Sequence, residues 1–143
     1  MFEQYSEPGR RTVLFALQEA QALGSPRIDT VHLLLGILRE DANVARQVGT
    51  GAFQTIRKEL EQVAPPRQER VAPPGDLPLS RKARLAMTYA AKEAAELDSQ
   101  QIEPPHLILG LLRVKECTAA KLLGAYGMES RRYRETLRGD ALQ

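Results

Sequence analysis

The chain has 143 residues, a formal net charge of +2 and a hydrophobic content of 43%. This length fits one ordinary domain or two small halves that share a core, and so small a charge does not by itself indicate a nucleic-acid partner. No apolar run approaches the roughly 20 residues that a membrane-spanning helix needs, and the N-terminus lacks the features of a signal peptide. The single cysteine, Cys117, excludes an intrachain disulfide, so we expect a cytoplasmic protein with no membrane partner.

The first half, residues 1–63, is predicted to contain four helices. Ser6 is a suitable cap for the first helix, and Gly24 follows its last apolar residue. The second helix is expected to begin at Asp29 or Thr30, and a short third helix is expected over residues 44–48. The fourth helix is expected to place four apolar residues on one face, Phe53, Ile56, Leu60 and Val63.

Residues 64–78 contain five prolines and no apolar period, which predicts a stiff extended connector. The second half, residues 79–143, then repeats the order of the first. Ser80 is predicted to cap a helix that ends at Leu97, and Pro104 or Pro105 is predicted to begin the next. Two further helices are expected over residues 117–125 and 128–137, with a slip of three residues in the register before the last.

One stretch of eight residues occurs twice. His32-Leu33-Leu34-Leu35-Gly36-Ile37-Leu38-Arg39 returns as His106-Leu107-Ile108-Leu109-Gly110-Leu111-Leu112-Arg113, 74 residues later. An ungapped match of residues 5–48 at this spacing gives 15 identities in 44 positions, so the chain is a tandem duplication. Because no segment alternates like a strand, the predicted fold is all-α. It has eight helices in two four-helix repeats related by a pseudo-twofold axis, within a single domain of residues 1–143.

The matched residues include candidates for chemistry, but a structural role explains each of them better. His32 and His106 have no acid, cysteine or second histidine at metal-ligand spacing, so we expect them to bond the backbone near a helix start. Gly36 and Gly110 lie inside predicted helices, where glycine costs roughly 1 kcal/mol relative to alanine, which indicates close helix packing. Cys117 is expected to be a packed thiol.

The sequence contains neither a phosphate-binding loop nor a nucleophile–base–acid set, so we predict no enzyme activity, no cofactor and no metal. The densest basic cluster lies near the C-terminus and consists of Arg131, Arg132, Arg134 and Arg138. A nucleic-acid-binding helical protein that uses this cluster is the alternative function of another class. A solvated helix face is favoured, because Tyr133 is the only interleaved aromatic residue.

The helix starts at Ser6 and Ser80 each precede an arginine by four positions, Arg10 and Arg84. Free backbone N–H groups, a helix dipole and a guanidinium together could hold an anion weakly. Ordinary helix capping beside surface arginines is the alternative interpretation, and the sequence favours it.

The doubled leucine-rich block, the Met-Phe-Glu start and the Ser-x-x-x-Arg opening of each half resemble the Clp repeat domain. This is the N-terminal domain of the ClpC-type AAA+ unfoldases. The resemblance covers residues 1 to about 138. It implies an all-α module that docks adaptor and substrate proteins for an ATP-driven unfoldase and its ClpP peptidase.

The chain departs from the family pattern at two matched positions. The family block usually reads Thr-Glu-His, and its glutamate helps to recognise phosphoarginine on tagged substrates. Here Val31 and Pro105 replace the two glutamates, so the guanidinium of a phosphoarginine would lose its ionic partner. Any phosphate binding would then depend on Ser6 and Ser80.

The resemblance also implies a surface that binds cyclic-peptide antibiotics. The corresponding positions are Phe2, Val13, Leu79 and Arg84, to which we add Arg10 as part of a positive rim. We therefore expect a groove between the starts of the first and fifth helices. The native-looking Met1 and the lost glutamates favour a stand-alone adaptor, decoy or regulator, and the alternative is an excised N-terminal domain of a full unfoldase.

Overall fold

The computed structural model describes residues 2–66 and 77–142, with the backbone alone for 140–142. Most of the predicted proline-rich connector therefore lies outside the described residues. The described residues form eight helices and no strand, as the sequence predicts. The helices are α1 (Glu7–Ala22), α2 (Thr30–Glu40), α3 (Ala42–Val48), α4 (Ala52–Val63), α5 (Arg81–Glu96), α6 (Pro104–Arg113), α7 (Thr118–Ala125) and α8 (Ser130–Leu142).

The helix starts follow from local capping chemistry. The Ser6 hydroxyl accepts a hydrogen bond from the Gly9 N–H at 3.1 Å, and the Ser80 hydroxyl accepts one from the Ala83 N–H at 3.1 Å. Each serine therefore satisfies one of the N–H groups that the first turn leaves without an intrahelical partner. Asp41 caps α3 in the same way through the Val44 N–H.

The leucine-rich block forms α2 and α6, which lie at the centre of the molecule. Leu33, Leu35, Leu107 and Leu109 are each at most 1% exposed. Burying a leucine side chain stabilises the fold by roughly 1.5–3 kcal/mol, so these helices contribute a large part of the core. The other helices pack around the pair and share one continuous core with it.

Gly36 and Gly110 allow each central helix to pack against the preceding long helix. A Cβ atom placed on Gly36 would lie 2.3 Å from the Thr12 carbonyl oxygen, and one on Gly110 would lie 2.2 Å from the Ala86 carbonyl oxygen. Both distances are too short for any side chain, so glycine is required where α2 crosses α1 and where α6 crosses α5. The predicted close helix packing is confirmed.

Two short backbone pairings join the halves. In the described part of the chain, isolated parallel bridges pair Tyr5 with Ile102 and Ile28 with Leu79. A shift of 74 residues carries Tyr5 onto Leu79 and Ile28 onto Ile102, so the two bridges are equivalent. Each half therefore pairs the segment before its long helix with the segment before the other half's central helix, as a pseudo-twofold arrangement requires.

Two predicted helix starts are wrong, and one residue of the predicted apolar face of α4 is exposed. Val63 is 81% exposed, because the last turn of α4 extends beyond the core. The third helix begins at Ala42 rather than at residue 44, since Asp41 already caps it. The last helix begins at Ser130 rather than at residue 128, because the Glu129 carboxylate accepts hydrogen bonds from the N–H groups of Arg131 and Arg132. It also continues past Leu137.

The register slip in the second half is distributed over two loops. The helix caps Asp41 and Cys117 are 76 residues apart, whereas His32 and His106 are 74 apart. The second half therefore has two of its three additional residues between α6 and α7. Ile56 and Tyr133 are 77 residues apart and are 1% and 5% exposed, so the predicted equivalence of α4 and α8 is confirmed.

Each half buries one glutamate and pairs it with arginines. Glu19 accepts hydrogen bonds from Arg39 at 2.9 Å and from Arg57 at 2.7 Å. Glu93, which is 1% exposed, accepts two hydrogen bonds from Arg134, at 2.9 and 2.7 Å. These ion pairs tie α1 to α2 and α4, and α5 to α8.

Candidate functional site

A groove of about 620 Å³ lies between the start of α1 and the segment that leads into α5. Its walls are mainly aliphatic, and two arginines stand among them. The lining residues are Phe2, Arg10, Val13, Leu14, Leu17, Ile28, Leu77, Pro78, Leu79 and Arg84. The structure thus brings all five predicted ligand-binding residues together, and we call this surface the first groove.

The apolar residues of the first groove are held by the pairing between the halves. Ile28 donates its N–H to the Pro78 carbonyl at 2.8 Å and accepts from the Ser80 N–H at 2.9 Å, which fixes Leu79 against α1. Phe2 contacts Tyr5 edge-to-face, with ring centroids 5.3 Å apart. Burial of Tyr5 raises its pKa to about 12, so this ring remains a neutral support for Phe2.

Arg10 and Arg84 supply the positive charge of the first groove. Arg10 donates to the Phe2 carbonyl at 3.2 Å, and Arg84 donates to the Leu79 carbonyl at 2.9 Å. Within the described part of the chain neither arginine forms an ion pair with a carboxylate. Each guanidinium is therefore anchored at one N–H group, and its charge is not neutralised by a carboxylate of the described residues.

A smaller groove of about 250 Å³ occupies the equivalent place in the second half, and we call it the second groove. Its residues include the repeat equivalents of those in the first groove. It is lined by Phe2, Gln4, Tyr5, Leu79, Arg84, Met87, Thr88, Ala91 and Ile102. Because Phe2, Leu79 and Arg84 line both grooves, the two surfaces meet at these side chains.

Ser6 and Ser80, the predicted anion-binding residues, lie at the helix starts but face inward. They are 3% and 8% exposed, and the Ser6 hydroxyl also donates to the Ile102 carbonyl at 3.3 Å. Their capping role is confirmed. Anion binding at these helix starts stays a prediction, and it would have to rely on backbone N–H groups and on Arg10 and Arg84.

Val31 and Pro105, the two predicted departures from the family pattern, lie in the first turns of α2 and α6. Val31 is 7% exposed, and Pro105 is half-buried. Neither side chain carries a charge, so neither can pair with a guanidinium.

His32 and His106 have equivalent structural roles. The His32 Nδ1 atom accepts the Asp29 N–H at 2.9 Å, and the His106 Nδ1 atom accepts the Glu103 N–H at 2.9 Å. Burial lowers the pKa of both imidazoles, which keeps them neutral and able to accept these bonds. The predicted backbone-bonding role is confirmed, and the described residues contain no cluster of three potential metal ligands.

The predicted arginine cluster does not form one free surface. Arg134 is bound to the buried Glu93, and this hydrogen bond raises the pKa of its guanidinium further. Arg131 lies 3.9 Å from Glu135. One of the cluster's four charges is therefore used inside the fold, which weakens the case for a nucleic-acid interface.

Cys117 is 1% exposed and caps α7, since its sulfur accepts the Ala120 N–H at 3.3 Å. The predicted packed thiol is confirmed. Among the described residues no helix has the length and apolar character to cross a membrane.

Sequence reasoning missed several residues of the first groove. Leu14 is 49% exposed beside Val13, and Leu17 and Leu77 complete the apolar wall. Leu17 lies four residues after Val13 on the same stripe of α1, and this spacing is the one signal in the sequence that could have indicated the groove.

The comparisons with known proteins agree with this geometry. A family model of the Clp repeat (R) N-terminal domain matches residues 4–124, with a further match over residues 78–142. The chain belongs to the Clp repeat N-terminal domain family. The first match extends over the first half and most of the second, and the further match covers the second half alone.

Proteins similar to this Clp N-terminal domain include two plant chaperones. It is 29% identical over 140 residues to the chloroplastic chaperone protein ClpD of Arabidopsis thaliana, covering 89% of this chain and 15% of the relative. It is 30% identical over 132 residues to the chloroplastic chaperone protein ClpC1 of Oryza sativa subsp. japonica, covering 90% of this chain and 14% of the relative. The chain thus spans about one-seventh of the length of these relatives.

The fold of the Clp N-terminal domain is also found in a solved structure. The crystal structure of the N-terminal domain of the caseinolytic protease associated chaperone ClpD from Arabidopsis thaliana superposes with a TM-score of 0.78. The superposition covers 100% of this chain and 97% of that one, at 24% sequence identity. The eight-helix all-α arrangement is therefore the fold of this family.

Proposed function

We propose that this Clp N-terminal domain is a protein-interaction module of a Clp unfoldase and protease system, without catalytic activity of its own. The observation that carries the proposal is the first groove, where predicted ligand-binding residues from both halves line one cavity of about 620 Å³. The ligands would be peptide segments of adaptors or substrates, and cyclic peptides.

The chemistry of the first groove suits such ligands. Apolar grooves with a few convergent polar groups are typical of sites that bind peptides and small molecules. Phe2, Val13 and Leu79 would contact apolar side chains, while Arg10 and Arg84 would bond to carbonyl oxygens or to a carboxylate of the ligand. The half-exposed Leu14 adds apolar area that a ligand can cover.

Phosphoarginine is expected to be a poor ligand of this chain. Val31 and Pro105 offer no negative charge to a guanidinium, and the hydroxyls of Ser6 and Ser80 are already bonded within the fold. A phosphate group could still interact weakly with the backbone N–H groups at these helix starts.

A paired calorimetric titration tests the proposal. The protein is titrated with a cyclic-peptide antibiotic of the Clp-binding type and, separately, with free phosphoarginine. We expect the cyclic peptide to bind more tightly and to lose about tenfold in affinity on Phe2→Ala, because an aromatic anchor of the groove is removed. Phosphoarginine should bind weakly, and Val31→Glu with Pro105→Glu should strengthen it.

Leu85→Ala provides the matched control, because Leu85 is 41% exposed and lies outside the first groove. It should leave cyclic-peptide binding unchanged. Tight phosphoarginine binding by the unmodified protein would contradict the proposed site. A cyclic-peptide affinity that Phe2→Ala does not lower would also contradict it.

We further propose that the chain acts as a stand-alone adaptor, decoy or regulator of a cytoplasmic Clp protease. The uncharged residues at Val31 and Pro105 favour this role, and the alternative is the N-terminal part of a full ClpC-type unfoldase. An immunoblot of the source cells separates the two roles. A band near 15.9 kDa supports the stand-alone role, and a band several times larger supports the alternative.

The proposed absence of ATPase activity has its own test. Titration of this chain with ATP and magnesium should give no heat of binding, because the sequence contains no phosphate-binding loop. Micromolar affinity would contradict it.

A further inference from the structure

A cleft of about 400 Å³ separates the start of α5 from the end of α6, and we call it the basic cleft. Its principal lining residues are Arg81, Lys82, Leu85, Tyr89, Arg113 and Lys115. Leu85 lies in the cleft and is 41% exposed, and Val114 provides a buried floor. Glu116 is the one carboxylate among the lining residues.

The basic cleft lies on another side of α5 from the two grooves. Residues three or four apart share a helix face, so Arg81, Leu85 and Tyr89 form one stripe. Arg84, Thr88 and Ala91 form the stripe that lines the second groove. The inference below therefore does not rest on the proposed function of the first groove.

The equivalent surface of the first half is closed by an ion pair. Arg11 and Glu40 occupy the positions that match Leu85 and Val114, and Arg11 donates two hydrogen bonds from Nε and Nη2 to Glu40 Oε1, at 2.9 and 2.6 Å. The Glu40 side chain is only 10% exposed. The second half has replaced this pair with two apolar residues, which leaves an apolar opening between cations.

The cations at the opening are available to a ligand. Within the described part of the chain, no carboxylate lies within 4.0 Å of a charged nitrogen of Arg81, Lys82 or Lys115. Arg113 is already engaged, because its guanidinium stacks 4.3 Å from the Tyr89 ring and lies 3.7 Å from Glu93. Three uncommitted positive charges therefore surround one exposed leucine.

We propose that the basic cleft docks an acidic segment of a partner protein, with a large apolar side chain of that segment against Leu85. Its carboxylates would pair with Arg81, Lys82 and Lys115. This charge complementarity identifies the partner's chemistry, since opposite charges steer encounter and fix the register of an interface.

Two other occupants fit the basic cleft less well. A nucleic acid would need an open aromatic face for stacking, and Arg113 already covers the Tyr89 ring. A second copy of the chain could not offer Glu40 as the acidic counterpart, because Glu40 is bonded to Arg11.

The test measures fluorescence anisotropy of a labelled synthetic peptide in which acidic residues flank a leucine–phenylalanine pair. Reversing two charges with Lys82→Glu and Lys115→Glu should weaken binding by about tenfold or more, and Leu85→Ser by about threefold. The control variant Arg131→Glu with Arg132→Glu makes the same change of charge on α8. It should change the affinity by less than about twofold. Circular dichroism confirms that each variant is folded.

Several results would overturn the proposal. The first is that the peptide does not bind. The second is that both charge-reversal variants lose affinity for the peptide to the same extent. Equal affinity for a peptide that has alanines in place of the apolar pair would show that Leu85 is not used. Tighter binding of a DNA oligonucleotide, or self-association lost on Lys82→Glu with Lys115→Glu, would assign the cleft to another occupant.

Discussion

The first and second grooves occupy equivalent positions in the two halves, yet their volumes are about 620 and 250 Å³. Leu14 and Leu17 of the first groove become Thr88 and Ala91 in the second. The buried residues below these surfaces match closely between the two halves. They include the histidines at the starts of α2 and α6, the glycines where the helices cross, and the buried glutamates. The duplication has therefore kept the residues that packing requires, while the exposed grooves have diverged in volume and in lining residues.

The largest expected effects test whether the two buried glutamates are equivalent. Glu93→Gln should destabilise the protein by roughly 3 kcal/mol, because removing one partner of a buried ion pair leaves the other charge uncompensated. Glu19→Gln should cost a similar amount, since its two arginines are also half-buried. Urea unfolding followed by circular dichroism measures both changes.

Glu135→Gln is the control for the glutamate variants, because Glu135 is 65% exposed and its contact with Arg131 is long. It should change the free energy of unfolding by less than about 0.5 kcal/mol. A large cost in one half and none in the other would show that the halves are not held in the same way.

The glycines where α2 crosses α1 and where α6 crosses α5 provide the second test of the comparison between the halves. Gly36→Ala and Gly110→Ala should each destabilise the protein by about 3 kcal/mol, because the added Cβ would meet a backbone carbonyl that cannot rotate away. Gly124→Ala in α7 has nothing within 4 Å of the added Cβ and should stabilise the helix by roughly 0.5–1 kcal/mol. Thermal unfolding of the three variants compares them directly. Similar behaviour of all three would contradict the close packing.

The third prediction addresses the difference between the grooves. Leu14→Thr with Leu17→Ala gives the first groove the side chains of the second. It should lower the affinity for the cyclic peptide by about tenfold, because apolar contact is lost. Thr88→Leu with Ala91→Leu changes the second groove instead and should leave that affinity within about twofold. Calorimetric titration measures both. An effect of the second pair equal to that of the first would place the ligand across both grooves.

The smallest expected effect is a dependence of stability on pH through the two histidines. Burial lowers the pKa of His32 and His106 below the ordinary value of 6.5, so the unfolded chain takes up protons first as the pH falls. Their contribution to stability is complete above pH 6.5 and is lost as the pH falls below it. Unfolding in urea at a series of pH values measures the slope.

His32→Asn with His106→Asn sharpens this measurement, because the asparagine side chain keeps an acceptor but does not titrate. The double variant should show a flatter slope between pH 7 and pH 5. An unchanged slope would mean that other groups account for the pH dependence.

The sequence predicted the helices and the buried leucine-rich block well, because residues that recur in both halves mark the positions that the fold requires. Ser6 and Ser80, His32 and His106 appear at matched places, and local capping chemistry is enough to assign their roles. The true start of α8 was missed, since Glu129 caps it through hydrogen bonds that the apolar pattern does not reveal.

The groove was predictable only in part. Phe2, Val13 and Leu79 came from the family resemblance, whereas Leu14 and Leu17 were not predicted. Periodicity separates apolar from polar faces, but it cannot tell a leucine covered by another helix from one that lines a groove. That distinction depends on where the segment leading into Leu79 lies, which the bridge to Ile28 decides.

The proposed function places the ligand in the first groove. Backbone and methyl NMR of the labelled protein, titrated with a Clp-binding cyclic-peptide antibiotic, tests it most directly. We predict the largest shift changes at Val13, Leu14, Leu17 and Leu79, with much smaller changes at Met87 and Ala91. Changes centred on Met87 and Ala91, or spread over α8 instead, would contradict binding in the first groove.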